Sequence, residues 1–421
     1  MKVRTAISSL LLLFALLPVD TGAAGSFPRV SELEINTGVN AAQPSLSSDG
    51  NGGFLLTWQE KAADAASLHF TRLGADGQVL DQGTIARNSN GVSWFLNWAD
   101  FPSLIVLDNG DWVTFWLQKS GDGVYAYDIL LTRSIDEGES WSPPVRLNRD
   151  NTLTEHGFVS LIPAGEDRVL AIWLDGRYTA APPVEQADSG HQAHAGGMTL
   201  RSAVVNRAGE ILDEHEIDGL VCDCCNTDLV QVGEQFMAIY RDRSDAEIRD
   251  NSFSLLMPGG SWSTPQTIYS DNWKIAACPV NGPALAVRGE RVLAAWTTME
   301  ADQLSVRLAP GDSEGFEGMV PVETGPDVQG RVDMVTFGEK DFLLSWLGRS
   351  DSDSAASAIR VAVVNLDGGL GAQKAIAELP PGRSTGFPRM ASSGDIALIA
   401  WTEPSPEGSS IRVMRLSQQG D

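Results

Sequence analysis

One phrase returns seven times along the 421-residue chain: a short strand-like run, a glycine or polar turn, then an apolar run closed by an aromatic residue. It reads PSLSSDGNGGFLLTW, PSLIVLDNGDWVTFW, VSLIPAGEDRVLAIW, TDLVQVGEQFMAIY, PALAVRGERVLAAW, VDMVTFGEKDFLLSW and PRMASSGDIALIAW. The closing aromatics, Trp58, Trp116, Trp173, Tyr240, Trp296, Trp346 and Trp401, recur every 50 to 67 residues. Two more strand-like runs lie between them, for example DILLTRS and PVRLN in the second unit, or IRVAVVNL and QKAIAEL in the sixth. Short apolar and β-branched runs bounded by Gly, Asp, Asn and Pro are strand signals, and no amphipathic helical period competes with them.

Each unit is therefore expected to be a four-stranded antiparallel sheet. Such sheets repeated around an axis make a β-propeller, an all-β fold in which every blade buries both faces against its neighbours. Seven blades of about 57 residues use residues 25–421 as one domain, whereas six, the alternative, leave one phrase unexplained. The seventh unit stops one strand short after IRVMRLS. RVSELEIN, Arg29 to Asn36, is available to complete it and close the ring.

Residues 1–24 place Lys2 and Arg4 ahead of an apolar run from Ala6 to Leu17, then small residues at Gly22, Ala23 and Ala24. The pattern reads as a secretory signal peptide whose apolar run is too short to cross a bilayer. It predicts an exported protein, periplasmic or extracellular, without membrane insertion. A formal net charge of -25 argues against nucleic acid and anionic lipid as partners.

SIDEGESW, Ser134 to Trp141, falls between the third and fourth strands of the second unit. Ser134 and Asp136 can satisfy turn amides, Gly138 supplies a positive φ, and Trp141 packs beneath. A degenerate copy, PGGSWSTP, surrounds Trp262. These residues resemble the S-x-D-x-G-x-x-W Asp-box of the sialidase-like, or BNR-repeat, propellers, and the likeness in architecture extends over residues 25–421. The resemblance implies exo-sialidase-type glycoside hydrolysis, with three arginines on the sugar carboxylate, a tyrosine paired with a glutamate as nucleophile, and an aspartate as acid/base. This chain departs from that pattern in ADFPSL, where Asp100 and Phe101 stand in place of the Arg and Ile of an R-I-P motif. Its seven repeats also exceed the six blades usual in sialidases.

The four cysteines are grouped. VCDCCNTDLV holds Cys222, Cys224 and Cys225, and Cys278 follows in the next unit. Cys222 and Cys278 each stand 18 residues ahead of a closing aromatic, Tyr240 and Trp296. They are thus expected at equivalent positions of adjacent blades, in loops leading to inner strands at the axial mouth. His156 borders them, and DGRYTAAPPVEQADSGHQAH is expected to bring Asp175, Arg177, Tyr178, His191 and His194 to the same face. Three chemistries stay open. The cysteines could form disulfides, Cys222 with Cys278 stapling two blades while Cys224 and Cys225 form a vicinal bridge or stay reduced. They could hold one Cu or Zn ion together with His156. Or they could be redox-active.

YRDRSDAEIRD, Tyr240 to Asp250, alternates Arg241, Arg243 and Arg249 with Asp242, Asp245, Glu247 and Asp250. It reads as a solvated salt-bridge network or as an anion clamp, because guanidinium forks match carboxylates. Arg249 is the nearest match to a second sialidase arginine. Glu247 is a candidate general base, its role depending on a raised pKa, and Asp100 and Tyr178 complete the catalytic candidates. Arg177, Arg241, Arg243, Arg249, Asn281 and Arg383 are the candidate ligand-binding residues, with Arg349 and Arg389 as further ones. Tyr240 is expected in the core, and Trp98 and Trp273 are either sugar platforms or buried structural residues. The leading expectation is binding, with hydrolysis, of an acidic glycan at the mouth. A metal or redox propeller and a scaffold for a protein partner are the alternatives.

Overall fold

The computed structural model describes residues 25–62, 65–88, 91–180, 196–352, 357–380 and 382–418. The expected signal peptide, His191 and His194 lie outside them. All regular structure in the described residues is β, arranged as seven antiparallel sheets. Blade one spans residues 41–87, two 104–146, three 156–221, four 228–267, five 284–325, six 330–379, and seven 389–417. The innermost strands are Ala41–Ser48, Leu104–Val106, His156–Pro163, Asp228–Val232, Ala284–Arg288, Gly330–Phe337 and Arg389–Ser393. Each lies beside the next, and the last returns to the first, so the ring is closed with seven blades and not six.

The missing outer strand of blade seven comes from the other end of the chain. Arg29–Leu33 pairs antiparallel with Gly408–Ser417, Val30 opposite Leu416 and Leu33 opposite Val413. The covalent ends are thereby held by a sheet ladder rather than by a loop.

The repeated phrase forms because its two apolar runs are the first and second strands of each blade, buried on both faces. Its closing aromatic marks the outgoing end of the second strand. Trp173, Trp296, Trp346, Trp401 and Tyr240 are all fully buried. The core divides into seven packets, one between each pair of neighbouring blades. The SIDEGESW turn behaves as its chemistry requires: Gly138, at φ 94°, donates to Ser134 Oγ at 2.8 Å, and Ser140 donates to Asp136 Oδ1 at 2.9 Å.

Buried carboxylates latch blades together across these packets. Asp228 accepts from the Leu285 amide of blade five at 2.7 Å, and Asp333 from the Met390 amide of blade seven at 2.6 Å. Asp100, beside blade two, accepts from the Phe158 amide of blade three at 2.8 Å.

Candidate functional site

The loops leading to inner strands, and those joining second to third strands, project from one face of the ring. The cysteines meet on that face. Cys222 and Cys278 stand the same six residues ahead of their inner strands, Asp228–Val232 and Ala284–Arg288. The Cys222 amide donates to the Arg241 carbonyl at 3.0 Å, and Asn226 Nδ2 donates to the Ala99 carbonyl at 2.9 Å, so the loop is pinned on both sides. Gly282 lets the two cysteine loops touch: a Cβ there would stand 2.0 Å from the Asn226 carbonyl oxygen.

The expected Cys222–Cys278 staple does not match this arrangement. Cys222 Sγ lies 2.8 Å from Cys225 Sγ, and Cys278 interacts with Cys224 instead. Tight chain reversal at Cys224 turns its side chain outward toward blade five, while Cys222 and Cys225 are both buried. His156 is not part of this cluster. Its Nδ1 donates to the Tyr127 carbonyl at 3.0 Å, and its Nε2 lies 3.2 Å from Asp150 Oδ1 and 3.8 Å from Asp175 Oδ1. Burial lowers the His156 pKa, but its interactions with Asp150 and Asp175 outweigh burial and raise it.

Most of the expected arginine clamp is spent inside the protein. Arg177 grips Asp175 with Nε and Nη2, both at 2.7 Å, and reaches Glu214 at 3.2 Å. Arg243 pairs with Glu247 at 2.7 Å and Asp223 at 3.3 Å, and Arg249 pairs with Glu247 at 2.8 Å. Arg241 is fully buried, donating to the carbonyls of Asn281, Arg249 and Thr297 with its guanidinium 5.0 Å from the Trp273 ring. Asn281 is equally internal, its Oδ1 accepting from the Arg331 amide at 2.7 Å.

The catalytic candidates do not converge either. Glu247 has a lowered pKa because Arg243 and Arg249 hydrogen-bond its carboxylate, the opposite of what a general base near neutrality needs. Tyr178 is half-buried in the loop after the second strand of blade three. Asp100 is buried beneath the mouth, accepting from the Tyr127 hydroxyl at 3.1 Å as well as from Phe158. The same Tyr127 hydroxyl, missed in the sequence, lies 2.9 Å from Glu155 Oε1, so its single proton is shared between the two carboxyl groups. Burial pushes both carboxyls, Asp100 and Glu155, up to about 7. Tyr240 is core as expected, its hydroxyl on Asp218 Oδ2 at 2.7 Å.

Two further arginines lack a carboxylate partner among the described residues. Arg331 and Arg383 form no ion pair among the described residues, and both face Trp98, with guanidinium carbons 4.7 and 5.4 Å from its ring centroid. Arg331 is buried and donates to the carbonyls of Gly386 and Gly382, at 2.8 and 3.1 Å, whereas Arg383 is exposed. Burial, then repulsion from Arg383, lowers the Arg331 pKa to about 10. Beside them, a cleft of about 500 Å³ is lined by Asn40, Gln43, Gln59, Glu60, Lys61 and Ser409 among others. Gln59 is 2% exposed, and neither its amide nitrogen nor its oxygen has a partner. Thr402 links the two features, accepting from the Gln43 amide at 3.1 Å and lying against Gly386 of the Arg383 turn.

Neither Gln59 nor Arg331 had a legible signal. Gln59 directly follows a closing aromatic, where units two, three and six carry Leu117, Leu174 and Leu347 but units four, five and seven carry Arg241, Thr297 and Thr402, so a polar side chain there does not single it out. The missing carboxylate of Arg331 is a property of the packed mouth.

No protein-family model matches the chain, and no curated protein matches it. Among solved structures, it is similar to a Dyadobacter fermentans protein of unknown function, with TM-score 0.51 and 14% identity over 94% of this chain and 99% of that one. Polysaccharide lyase Uly1 is similar with TM-score 0.50 and 8% identity over 92% of each chain. NanB sialidase from Streptococcus pneumoniae follows with TM-score 0.49 and 9% identity, over 92% of this chain and 94% of that one. Sialidases, arabinanases and polysaccharide lyases recur among these neighbours. At such identities the likeness is one of fold.

Proposed function

We propose that the protein recognises an acidic carbohydrate at the half of its axial mouth formed by blades six, seven, one and two. The carrying observation is the pair Arg331 and Arg383, two guanidiniums held together on Trp98 without a carboxylate partner among the described residues, in a chain of net charge -25. Gathering like charges costs free energy that a bound anion relieves. Exposed Arg383 offers the fork for a carboxylate or sulfate, and buried Arg331 adds field behind it.

A sugar is favoured over a simple anion because the same half of the mouth carries a polar cleft, where the Gln59 amide, without a partner among the described residues, suits hydroxyl groups together with Asn40 and Gln43. Trp98 holds the two cations: both guanidiniums lie over its ring and Phe387 stacks on it at 5.7 Å. Glu247 and Tyr178 belong to blades four and three, and Asp100, though in the same loop as Trp98, is buried and held by the Phe158 amide, so the activity proposed is recognition.

Binding of the mature protein to an array of uronate, sialate, sulfated and neutral oligosaccharides tests this reading. Acidic glycans are expected to bind, with a loss of about tenfold or more in Arg383→Ala. Binding that ignores glycan charge, or survives Arg383→Ala unchanged, would contradict it.

A further inference from the structure

The cysteine cluster is not used by the proposed glycan site, although Asn226 of its loop is bonded to the Ala99 carbonyl beside Trp98. The Sγ atoms of Cys222, Cys224 and Cys225 all lie within 4.8 Å of one another, and Cys224 also interacts with Cys278. Cys222 and Cys225 are the closest pair, at 2.8 Å, but Cys224 lies within 4.8 Å of both and also interacts with Cys278, so the sulfurs form one group rather than two separate pairs. Around it stand cations and a carboxylate: Arg249 Nη1 is 3.5 Å from Cys222 Sγ, Arg241 lies close behind, and Asp223 is near enough to act on Cys222 and Cys278 while pairing with Arg243.

From this geometry we infer a thiolate site for one cuprous ion, ligated by Cys222, Cys224 and Cys225 and covered by Cys278. An all-sulfur set selects soft ions, Cu(I) or Zn(II). Structural zinc almost always takes four ligands in a closed tetrahedron. Here three sulfurs come from one four-residue stretch with two of them buried, while the fourth, Cys278, is exposed and reaches Cys224 alone among the described contacts. Three-coordinate sulfur is a favourable environment for Cu(I), which has no need of a fourth ligand. On binding, three thiols release their protons to solvent and three thiolates replace the ligands of the incoming ion, with no change in its oxidation state. Arg249 and Arg241 offset the net negative charge of the filled site.

The Arg249–Cys222 contact has a further consequence. Arg249 is tied to Glu247, so the charged loop of blade four, first read as an anion clamp, becomes the outer support of the sulfur cluster.

The test uses the full mature chain, purified without chelator or polyhistidine tag and handled anaerobically. Copper and zinc per chain are measured directly, and thiols are counted by alkylation and mass spectrometry after metal removal. Expected results are about one copper per chain on loading with Cu(I), four alkylated thiols once it is removed, and a Cu–S signature by X-ray absorption. In competition with a Cu(I) chelator, Cys224→Ser is expected to weaken binding at least about 100-fold, Cys278→Ser about tenfold and Arg249→Met about tenfold. Should Cys224→Ser fail to fold, the wild-type stoichiometry and the Cys278→Ser variant decide. Zinc retained in preference to copper overturns the assignment, and so do two disulfides in the freshly isolated protein with no thiol to alkylate. These measurements are independent of glycan binding.

Discussion

Arg331 and Arg383 share one indole, their guanidinium carbons 4.7 and 5.4 Å from the centre of the Trp98 ring. Arg331 comes from the start of the inner strand of blade six, Arg383 from the loop leading into blade seven, and Trp98 from the loop leading into blade two. The contact therefore crosses the axis and depends on the ring being closed.

Arg241 and Arg383 should respond oppositely to removal. Arg241 is buried and satisfies three carbonyls, so Arg241→Ala is expected to cost about 3 kcal/mol or more in a denaturant titration. Exposed Arg383→Ala should cost less than about 0.5 kcal/mol while losing ligand. Equal losses of stability would contradict the division into structural and ligand-facing arginines.

Gln59→Leu removes a buried amide whose two polar atoms have no partner. Its stability is expected to rise by about 1 kcal/mol, while affinity for the glycan falls about tenfold. Thermal unfolding and titration of the same preparation read both. A variant that is less stable and binds normally would show that Gln59 serves the fold.

Burial and neighbouring charge determine how Asp100 affects stability with pH. Its carboxyl is raised from 3.8 to about 7, so the folded state holds the proton more tightly than the unfolded chain does. Its contribution is therefore lost progressively as pH rises from about 4 to about 7, and is constant beyond. Asp100→Asn removes that titration, so the variant should gain on the wild type by about 4 kcal/mol across the same window. Urea unfolding at pH 4.5 and pH 8 checks it, and a difference between variant and wild type that does not change with pH would contradict it.

Closure of the ring by Arg29–Leu33 is also measurable. A chain starting at Ile35 exposes the edge of Gly408–Ser417 and uncovers the packets that Val30 and Leu33 help to fill. A fall of roughly 5–10 °C in Tm is expected, reversed in part by adding the missing strand as a peptide. An unchanged Tm would mean that the ladder does not hold the ring.

The architecture was readable because a propeller repeats its constraint. Each closing aromatic faces the equivalent packet, between its own blade and the preceding one, so Trp173, Trp296, Trp346 and Trp401 had to recur, and the unit lacking a last strand pointed to Arg29 at the other end. The site was only partly readable. Placement of the cysteine loops at equivalent positions followed from spacing, but which sulfur meets which depends on the turn at Cys224 and the close approach at Gly282. Charge was hardest to read. Arg177, Arg243 and Arg249 pair chiefly with near neighbours in sequence, Asp175 and Glu247, as the salt-bridge reading of such a stretch expects, and only Glu214 and Asp223 come from farther along the chain. Asp100 looked catalytic because nothing in ADFPSL announces that Phe158 will bury it.

The most direct measurement is calorimetric titration of the mature protein with a uronic-acid oligosaccharide and with the same oligosaccharide after carboxyl reduction. The acidic form is expected to bind, more weakly as salt rises and at least about tenfold more tightly than its neutral counterpart, with the difference lost in Arg383→Ala. Equal affinity for the two forms, or no binding of either, would contradict a mouth built to recognise an acidic sugar.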